Sequence, residues 1–546
     1  MSQLCHVIIQ WVQIFNTQVL VVFPVHSRRL HSTAASMFQH LYRQLNTAVD
    51  ANTLLLALCA FLVVSLTYKL FLWPMYFSPL RLMPSAKFNP IVGQSREDHL
   101  EQSVVPSLRR ARELGPISRY FVPFGGERVL VADPDAIKHI LVTNHANYER
   151  PSLLKRAFAA LAEKGLLAVS GAEHTMHRKI LNPAFKRENL KGMVKTFQEW
   201  TDVLVQYWKD KLEGTTATDG FVELQVQEDL GRLTLDIIGK CAFSYEFNSI
   251  REPDNFVSQT VTKLLQGDGG PSWITLLSAG SFFVPTGEFV QRRALCDQIV
   301  DDVIAERKRL QENPDQNDDN VPNDLLSLVM SARDRDTGEG LPEEVVRHEV
   351  MTFMVAGQET TSAGLSWLLL ELSRHPDVQD RLRSEVRAVL PGDDTPITWE
   401  LLDQIPYLMW VVKETLRLHP PAPMTGRQAL RDDRLGQYHI PAGTFVKISP
   451  AVVHRLSQYW EDPDTFKPER FAGDSNRNPY TFLPFIAGPR TCIGSKFALA
   501  EMRAVTAVLV QQFQFDPVPG VEYKNKQRVT LRPDPPLCLR VSKAPA

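Results

Sequence analysis

Cysteine is scarce in this chain: there are six in 546 residues, at positions 5, 59, 241, 296, 492 and 538. None pairs with another at close spacing, which argues against a disulfide framework and against a zinc site. An excess of either charge is missing too. Lys and Arg number 60 against 62 Asp and Glu, a formal net charge of −2, and there is no basic cluster, so no nucleic-acid partner is expected. The glycine phrases that cradle a flavin or nicotinamide dinucleotide are also absent. A redox reaction on this chain would therefore draw its electrons from another protein. No internal repeat occurs.

One long apolar run is present, at residues 54–73, broken only by Lys69 and a few small polar residues. Twenty helical residues span ~30 Å, the thickness of the bilayer hydrocarbon. The run is too long and too far from the start for a cleaved signal peptide, so it reads as a transmembrane anchor within residues 37–76. Trp73 and Tyr76 would lie at the interface, and Lys69, Arg81 and Lys87 favour a cytosolic catalytic side. Arg28, Arg29 and Arg43 add positive charge to the opposite flank. Pro79, Pro84 and Pro90 stiffen a hinge at 77–90. Residues 1–36 form an extension that could be a second membrane segment, an interfacial helix or an upstream addition.

The chemistry centres on Cys492, in the phrase Pro484-Phe485-Ile486-Ala487-Gly488-Pro489-Arg490-Thr491-Cys492-Ile493-Gly494, which opens into a helix-forming stretch at 495–513. Gly488 and Gly494 let the backbone fold tightly around the sulfur. The following helix aims free N–H groups at it, which favours thiolate over thiol. A thiolate there can bind an iron. The pattern F-x-x-G-x-R-x-C-x-G closely resembles the haem-binding signature of the cytochrome P-450 family. By that resemblance Cys492 is the axial ligand of a haem b iron, with Phe485, Gly488, Arg490 and Gly494 around the group. Thiolate ligation favours O–O cleavage of dioxygen.

Two further phrases follow the same family order. Glu414 and Arg417 stand three apart on one helix face, and Pro468-Glu469-Arg470-Phe471 follows downstream. The resemblance makes Glu414, Arg417 and Arg470 a buried structural charge cluster. A helix expected at 342–374, ~50 Å long, carries Ala356-Gly357-Gln358-Glu359-Thr360-Thr361. Its small residues allow a flat ligand to approach, and Thr360 can divert helix hydrogen bonds. In the resembled family this is the oxygen-activation segment, so Glu359 and Thr360 are the catalytic candidates, delivering protons. Arg427 and Arg178 match propionate-binding arginines. His174 replaces the tryptophan usual at its position, and both a carboxylate contact and a solvated helix face stay open for it.

The remaining pattern is mostly helical with short strands. Helices are expected at 196–212, 222–242 and 288–311, a strand hairpin at 119–132, a solvated loop at 311–324 and a strand-like tail at 529–539. The resemblance implies a mainly α fold with small β-sheets, the haem lying between the long helix and the cysteine loop of a catalytic domain at 91–546. It implies a membrane-anchored monooxygenase, placed in the endoplasmic reticulum, that inserts one oxygen atom of dioxygen into a lipophilic molecule. The electron donor would be an NADPH-dependent flavoprotein reductase, with Arg178, Lys179, Lys186 and Arg187 as contacts. Expected pocket walls are 151–169, 354–356, 421–425 and 532–536. Phrases such as Leu233-Thr234-Leu235-Asp236 resemble fungal members that tailor terpenoids, polyketides or alkaloids. Fatty-acid or xenobiotic hydroxylation, a dioxygen-independent isomerase or dehydratase, and a haem sensor are the alternatives.

Overall fold

The computed structural model describes residues 51–545 apart from 95–96, 99–100, 215–219, 267–286, 313–323, 335–336, 393–394 and 474–476. The extension at 1–36 and most of the loop expected at 311–324 lie outside the described residues. The chain divides into two units, one ending at Lys69 and one beginning at Leu70.

Helix α1, Ala51–Thr67, continues as π-helical turns over Tyr68–Phe77 with Pro74 inside. Among the described residues one helical stretch, Leu55–Phe77, is long and apolar enough to cross a membrane. Its side chains are largely exposed. The proline-rich segment after it is more than a bare tether. Ser78 caps the short helix Pro79–Leu82 and donates a hydrogen bond to Glu127 at 2.8 Å, and Ala86 N–H bonds Arg119 O at 3.0 Å.

The second unit is mainly helical with small sheets, as the sequence implies. Its principal helices are α2 (Val105–Leu114), α3 (Ser152–Ala162), α4 (Gly171–Leu181), α5 (Met193–Glu213), α6 (Val226–Phe243), α7 (Glu343–Arg374), α8 (Pro406–Leu418) and α9 (Ser495–Gln512). Helix α7 starts after Pro342, suited to a helix entry, and stops before Pro376. It is the axis of the larger apolar core, where Leu365, Leu368, Leu369 and Leu372 are fully buried.

Twelve strands in the described residues form four sheets. β1 (Ile117–Val122), β2 (Gly126–Val131), β8 (Phe445–Ile448), β5 (Thr425–Ala429) and β3 (Tyr148–Glu149) pair in that order over a smaller apolar core. β4 (Val222–Leu224), β12 (Leu539–Lys543) and β9 (Phe513–Pro517) make a second sheet; β6 (Asp433–Leu435) pairs β7 (Tyr438–Ile440), and β10 (Lys524–Gln527) pairs β11 (Leu531–Asp534).

The sequence expectation at 222–242 is corrected at its start. Residues 222–224 are strand, because Val222 and Leu224 pair with Val541 and Leu539 of β12. The tail expected as one strand is two, β11 and β12, separated by Pro535 and Pro536.

Candidate active site

Cys492 ends the loop that leads into α9. The loop is shaped by backbone contacts: Cys492 N–H bonds Phe485 O at 3.0 Å, and Thr491 N–H bonds Gly488 O at 3.0 Å. Gly488 has φ +76, and a Cβ there would stand 1.9 Å from the Leu141 carbonyl oxygen. Only glycine permits that approach. Phe485 is half-buried and packs against the larger core, while Gly494 has open space where a Cβ would point.

The cysteines differ in what their sulfurs face. Cys241 and Cys296 are buried in the larger core, and burial pushes both thiols up, Cys296 to about 12. Cys492 keeps accessible surface although protein surrounds it. Burial raises its pKa as well, opposed by the Gly494 N–H and the Arg178 charge. The Gly494 N–H and Arg178 act on the sulfur in the direction expected from sequence, against desolvation by the surrounding protein. A cation at the sulfur would reverse that balance, since a coordinated thiol is deprotonated outright.

Four arginines gather beside this loop. Arg490 donates to Val169 O (2.6 Å) and Ser170 Oγ (3.2 Å), and its second terminal nitrogen is buried without a partner. Arg178, on α4, donates to Thr491 O at 2.5 Å. Arg427, on β5, is buried, bonding Thr425 Oγ1 and Gly426 O, each at 2.8 Å. Arg150 precedes α3 and donates to Leu167 O. The pKa of Arg427 is lowered to about 10 by burial and then by Arg490, and that of Arg150 falls by burial and then by Arg490 and Arg427. Like charges held this way favour an anion. The carboxylates of a haem suit them, and the open thiol suits its iron, so the residues present fit the group.

Arg150 had no signal in the sequence: it lies in no periodic pattern, and only the fold brings it to Arg427 and Arg490. His174 is buried beside Arg490, Arg150 and Arg178. Burial first, then these charges, lowers it to about 3, so it is neutral and the solvated-face alternative is removed.

On α7, every residue from 348 to 373 is buried except Ala356, Gly357 and Thr360. These three share one helix face at i, i+1 and i+4. Thr360 donates its hydroxyl to Ala356 O at 2.7 Å, the local bond that a mid-helix threonine makes. Glu359 is 1 % exposed, accepts from Thr530 Oγ1 at 2.6 Å and forms a buried ion pair with Arg532. Burial pushes its carboxyl up, opposed by Arg532 and Thr530. Arg532, expected as a pocket wall, is thus turned inward onto Glu359.

A separate cluster joins α8 to residues 454–470: Arg417 bonds Glu414 at 2.7 and 2.8 Å, and Arg470 bonds Glu414 Oε1 at 2.9 Å. Glu414 and Arg417 have no exposed surface. Backbone groups complete the cluster: Lys467 N–H donates to Glu414 at 2.8 Å, and Arg417 donates to the carbonyls of His454, Pro463 and Thr465 at 2.8, 2.6 and 3.0 Å. Of the basic residues expected to meet a reductase, Lys186 is exposed, whereas Lys179 pairs with Asp334 and Arg187 with Asp403.

The cytochrome P450 family profile matches residues 84–540. The chain belongs to that family. Membership brings a haem held through a thiolate, monooxygenase activity and dependence on a redox partner. Among its relatives, cytochrome P450 monooxygenase sphH of Aspergillus fumigatus is 30% identical over 496 residues, 86% of this chain and 90% of the relative. Human cytochrome P450 4F12 is 32% identical over 441 residues, 78% and 81% of the two chains. Cytochrome P450 monooxygenase FSL4 of Gibberella zeae is 30% identical over 496 residues, 85% and 87%.

Proposed function

We propose that this P450 inserts one oxygen atom of dioxygen into a lipophilic small molecule, with Cys492 as the thiolate ligand. The observation that supports the assignment is an open, loop-cradled sulfur beside a group of arginines that form no ion pair among the described residues. Arg150, Arg178, Arg427 and Arg490 would hold the haem carboxylates, His174 standing beside them as a neutral donor. When bound, the haem supplies the dioxygen-activating chemistry.

The chain's own residues provide access and protons. Ala356 leaves room over a flat ligand, Gly357 lets α6 approach through Ile238, and Thr360 keeps its hydroxyl beside Ala356, able to orient water. Glu359 holds the proton reserve in the buried surroundings next to that face of α7. Its carboxyl is bound by Arg532, so passing a proton requires that this pair loosen. Glu414, Arg417 and Arg470 join α8 to residues 454–470 and take no part in the chemistry.

The electron donor in this reading is an NADPH-dependent flavoprotein reductase, and the site of action is the endoplasmic reticulum membrane, with 37–76 as anchor, 77–90 as hinge and 91–546 as catalytic domain. The test is the reduced carbon-monoxide difference spectrum of membranes carrying the chain. The expected result is the long-wavelength Soret band of thiolate ligation, lost in Cys492→Ala. A short-wavelength band in the parent chain would sink the assignment of Cys492.

A further inference from the structure

A polar pocket of about 490 Å³ opens between the start of α6, the helix Phe256–Gln266 and the hairpin of β10 and β11. Five cations line it: Arg232, Lys263, Lys526, Arg528 and Arg532. The carboxylates of the lining are Glu228 and Asp534. Gln225, Gln227, Ser258 and Thr262 add neutral hydrogen-bonding groups, and among the described residues the walls hold no aromatic and, proline apart, no aliphatic side chain. Such a lining suits a hydrophilic guest and not an apolar one.

Both acids of the lining are already engaged. Glu228 pairs with Arg232 at 2.7 Å and Asp534 with Lys526 at 3.2 Å, while Arg232 also meets Asp229, outside the lining, at 2.8 Å. Lys263 reaches only the Gln259 amide oxygen, at 3.3 Å, among the described residues. Arg532 is the buried cation, 8 % exposed, whereas Lys263, Lys526 and Arg528 are exposed. It spends one terminal nitrogen on Glu359 and its Nε on Thr530 Oγ1 at 3.4 Å; the other terminal nitrogen has no hydrogen-bond partner among the described residues. A guanidinium with donors to spare, in a pocket where cations outnumber acids, selects an anion with several oxygens.

Arg532 thereby joins this pocket to α7. The charges acting on Glu359 are Arg532 and Arg528, both of them lining residues. α6 meets the same turn of α7 with Gly231 and Thr234, which are uncharged. Burial favours the neutral carboxyl, and the two arginines favour the carboxylate. An anion that takes up the charge of the arginines removes their influence, so a proton on Glu359 and an anion in the pocket stabilise each other. Such linkage is reciprocal.

We infer that this pocket is an effector site for a phosphate group, held by Arg532, Arg528 and Lys263, and that the bound anion keeps the proton on Glu359. The inference rests on the monooxygenase reading above for the role of Glu359 as proton reserve, and adds a means of regulating that reserve. A soluble phosphate monoester and a lipid headgroup present the same chemistry, so the test includes both.

The experiment uses the full, haem-loaded chain in neutral detergent. Sodium sulfate is the first probe, because unlike phosphate it keeps one charge through the neutral pH range; sodium chloride of matched ionic strength is the control for screening. Isothermal titration calorimetry in two buffers of different ionisation heat counts the protons taken up and needs no turnover. Sulfate is expected to bind with proton uptake and more tightly as pH falls, by about tenfold, the coupling that one pKa unit represents. Glu359→Gln should bind it at every pH as tightly as the parent chain does in acid, without proton uptake. Arg532→Met should lose most of the binding. Since that variant also strands Glu359, the double variant Lys263→Gln, Arg528→Gln, at exposed positions, is the second test and should bind severalfold more weakly. Glycerol 3-phosphate and phosphatidic acid in nanodiscs follow: binding of either upholds the site and identifies the source, and binding of neither overturns it. No sulfate binding beyond the chloride control, binding indifferent to pH, or unchanged affinity in the double variant would also overturn the inference. The carbon-monoxide spectrum of the same samples keeps the two readings apart: an intact thiolate band without linked sulfate binding defeats the effector site alone, and a missing band with linked binding intact defeats the monooxygenase reading alone.

Discussion

At Glu359, burial and a guanidinium act in opposite directions on one carboxyl. Arg532 and Thr530 satisfy both of its oxygens, so removing the arginine leaves a buried acid without its counter-charge. Arg532→Met should destabilise the fold by on the order of 3 kcal/mol, and Glu359→Gln in that background should recover part of the loss. Urea unfolding of the two single variants and the double variant gives the coupling; a double variant no more stable than Arg532→Met would mean the pair is not the cause. Glu501 on α9 presents the contrasting case. It is 1 % exposed, neither oxygen has a partner in good geometry, and the Thr361 hydroxyl lies alongside. Burial pushes its carboxyl well above the usual range. With the folded value above the unfolded one, its contribution is full below pH ~4.3 and is lost as pH rises toward the folded value. Glu501→Gln does not titrate. Its advantage over the parent chain should grow by about 1.4 kcal/mol per pH unit across that window, seen as a widening Tm difference from acid to neutral pH. A constant difference would show that Glu501 is not held neutral.

At the scale of elements, the segment between α3 and α4 is latched onto α7. Leu166 N–H donates to Glu349 at 2.9 Å and His177 bonds the same oxygen at 2.9 Å, while Arg293, on the helix Gly287–Glu312, donates to Leu161 O at the end of α3 at 2.9 Å. Gly165 sits so close that a Cβ would meet Thr352 Oγ1 at 2.1 Å and His348 O at 2.7 Å. Gly165→Ala should therefore lift this segment, with a stability loss of about 1–3 kcal/mol and faster proteolysis within 151–169; unchanged proteolysis would count against the latch. None of these contacts was legible in sequence, because each joins residues far apart in the chain. What was legible is local. The cysteine loop announces itself in eleven consecutive residues, and α7 is bounded by its own prolines. Residues 222–224 misled because their helical pattern is overridden by pairing with β12. The neighbours Glu359 and Thr360 were visible together, yet only the distant Thr530 and Arg532 reveal that Glu359 is held in a buried ion pair while Thr360 keeps some accessible surface.

For the whole molecule, the apolar helix and the folded unit make separate contributions. A chain beginning at Leu70 should keep the cooperative unfolding of the full protein while losing most of its partition into membranes, because it lacks the run of exposed apolar side chains from Leu55 to Leu66. A chain beginning at residue 91 should be less stable. It loses the Ser78–Glu127 bond, the Arg119 bond to Pro74 O and the buried Leu80 and Met83. Equal thermal midpoints for the two truncations would show that residues 70–90 are only a spacer. The mainly helical class with small sheets was legible from motif order and periodicity. The order of strands within the sheets was not, since β2 and β8 pair across more than three hundred residues.

Along α7, accessible surface between positions 348 and 373 is confined to Ala356, Gly357 and Thr360, while their neighbours are locked into the core. The surface offered to a guest molecule is therefore written in a very short alphabet, and largely apart from the residues that hold the helix in place. At Gly357 an added Cβ would press on Ile238 at 2.9 Å, which leaves Ala356 as the position with most latitude. Evolution or directed mutagenesis could exchange that one methyl for larger groups and redraw which carbon of a guest is presented, with little penalty to the scaffold.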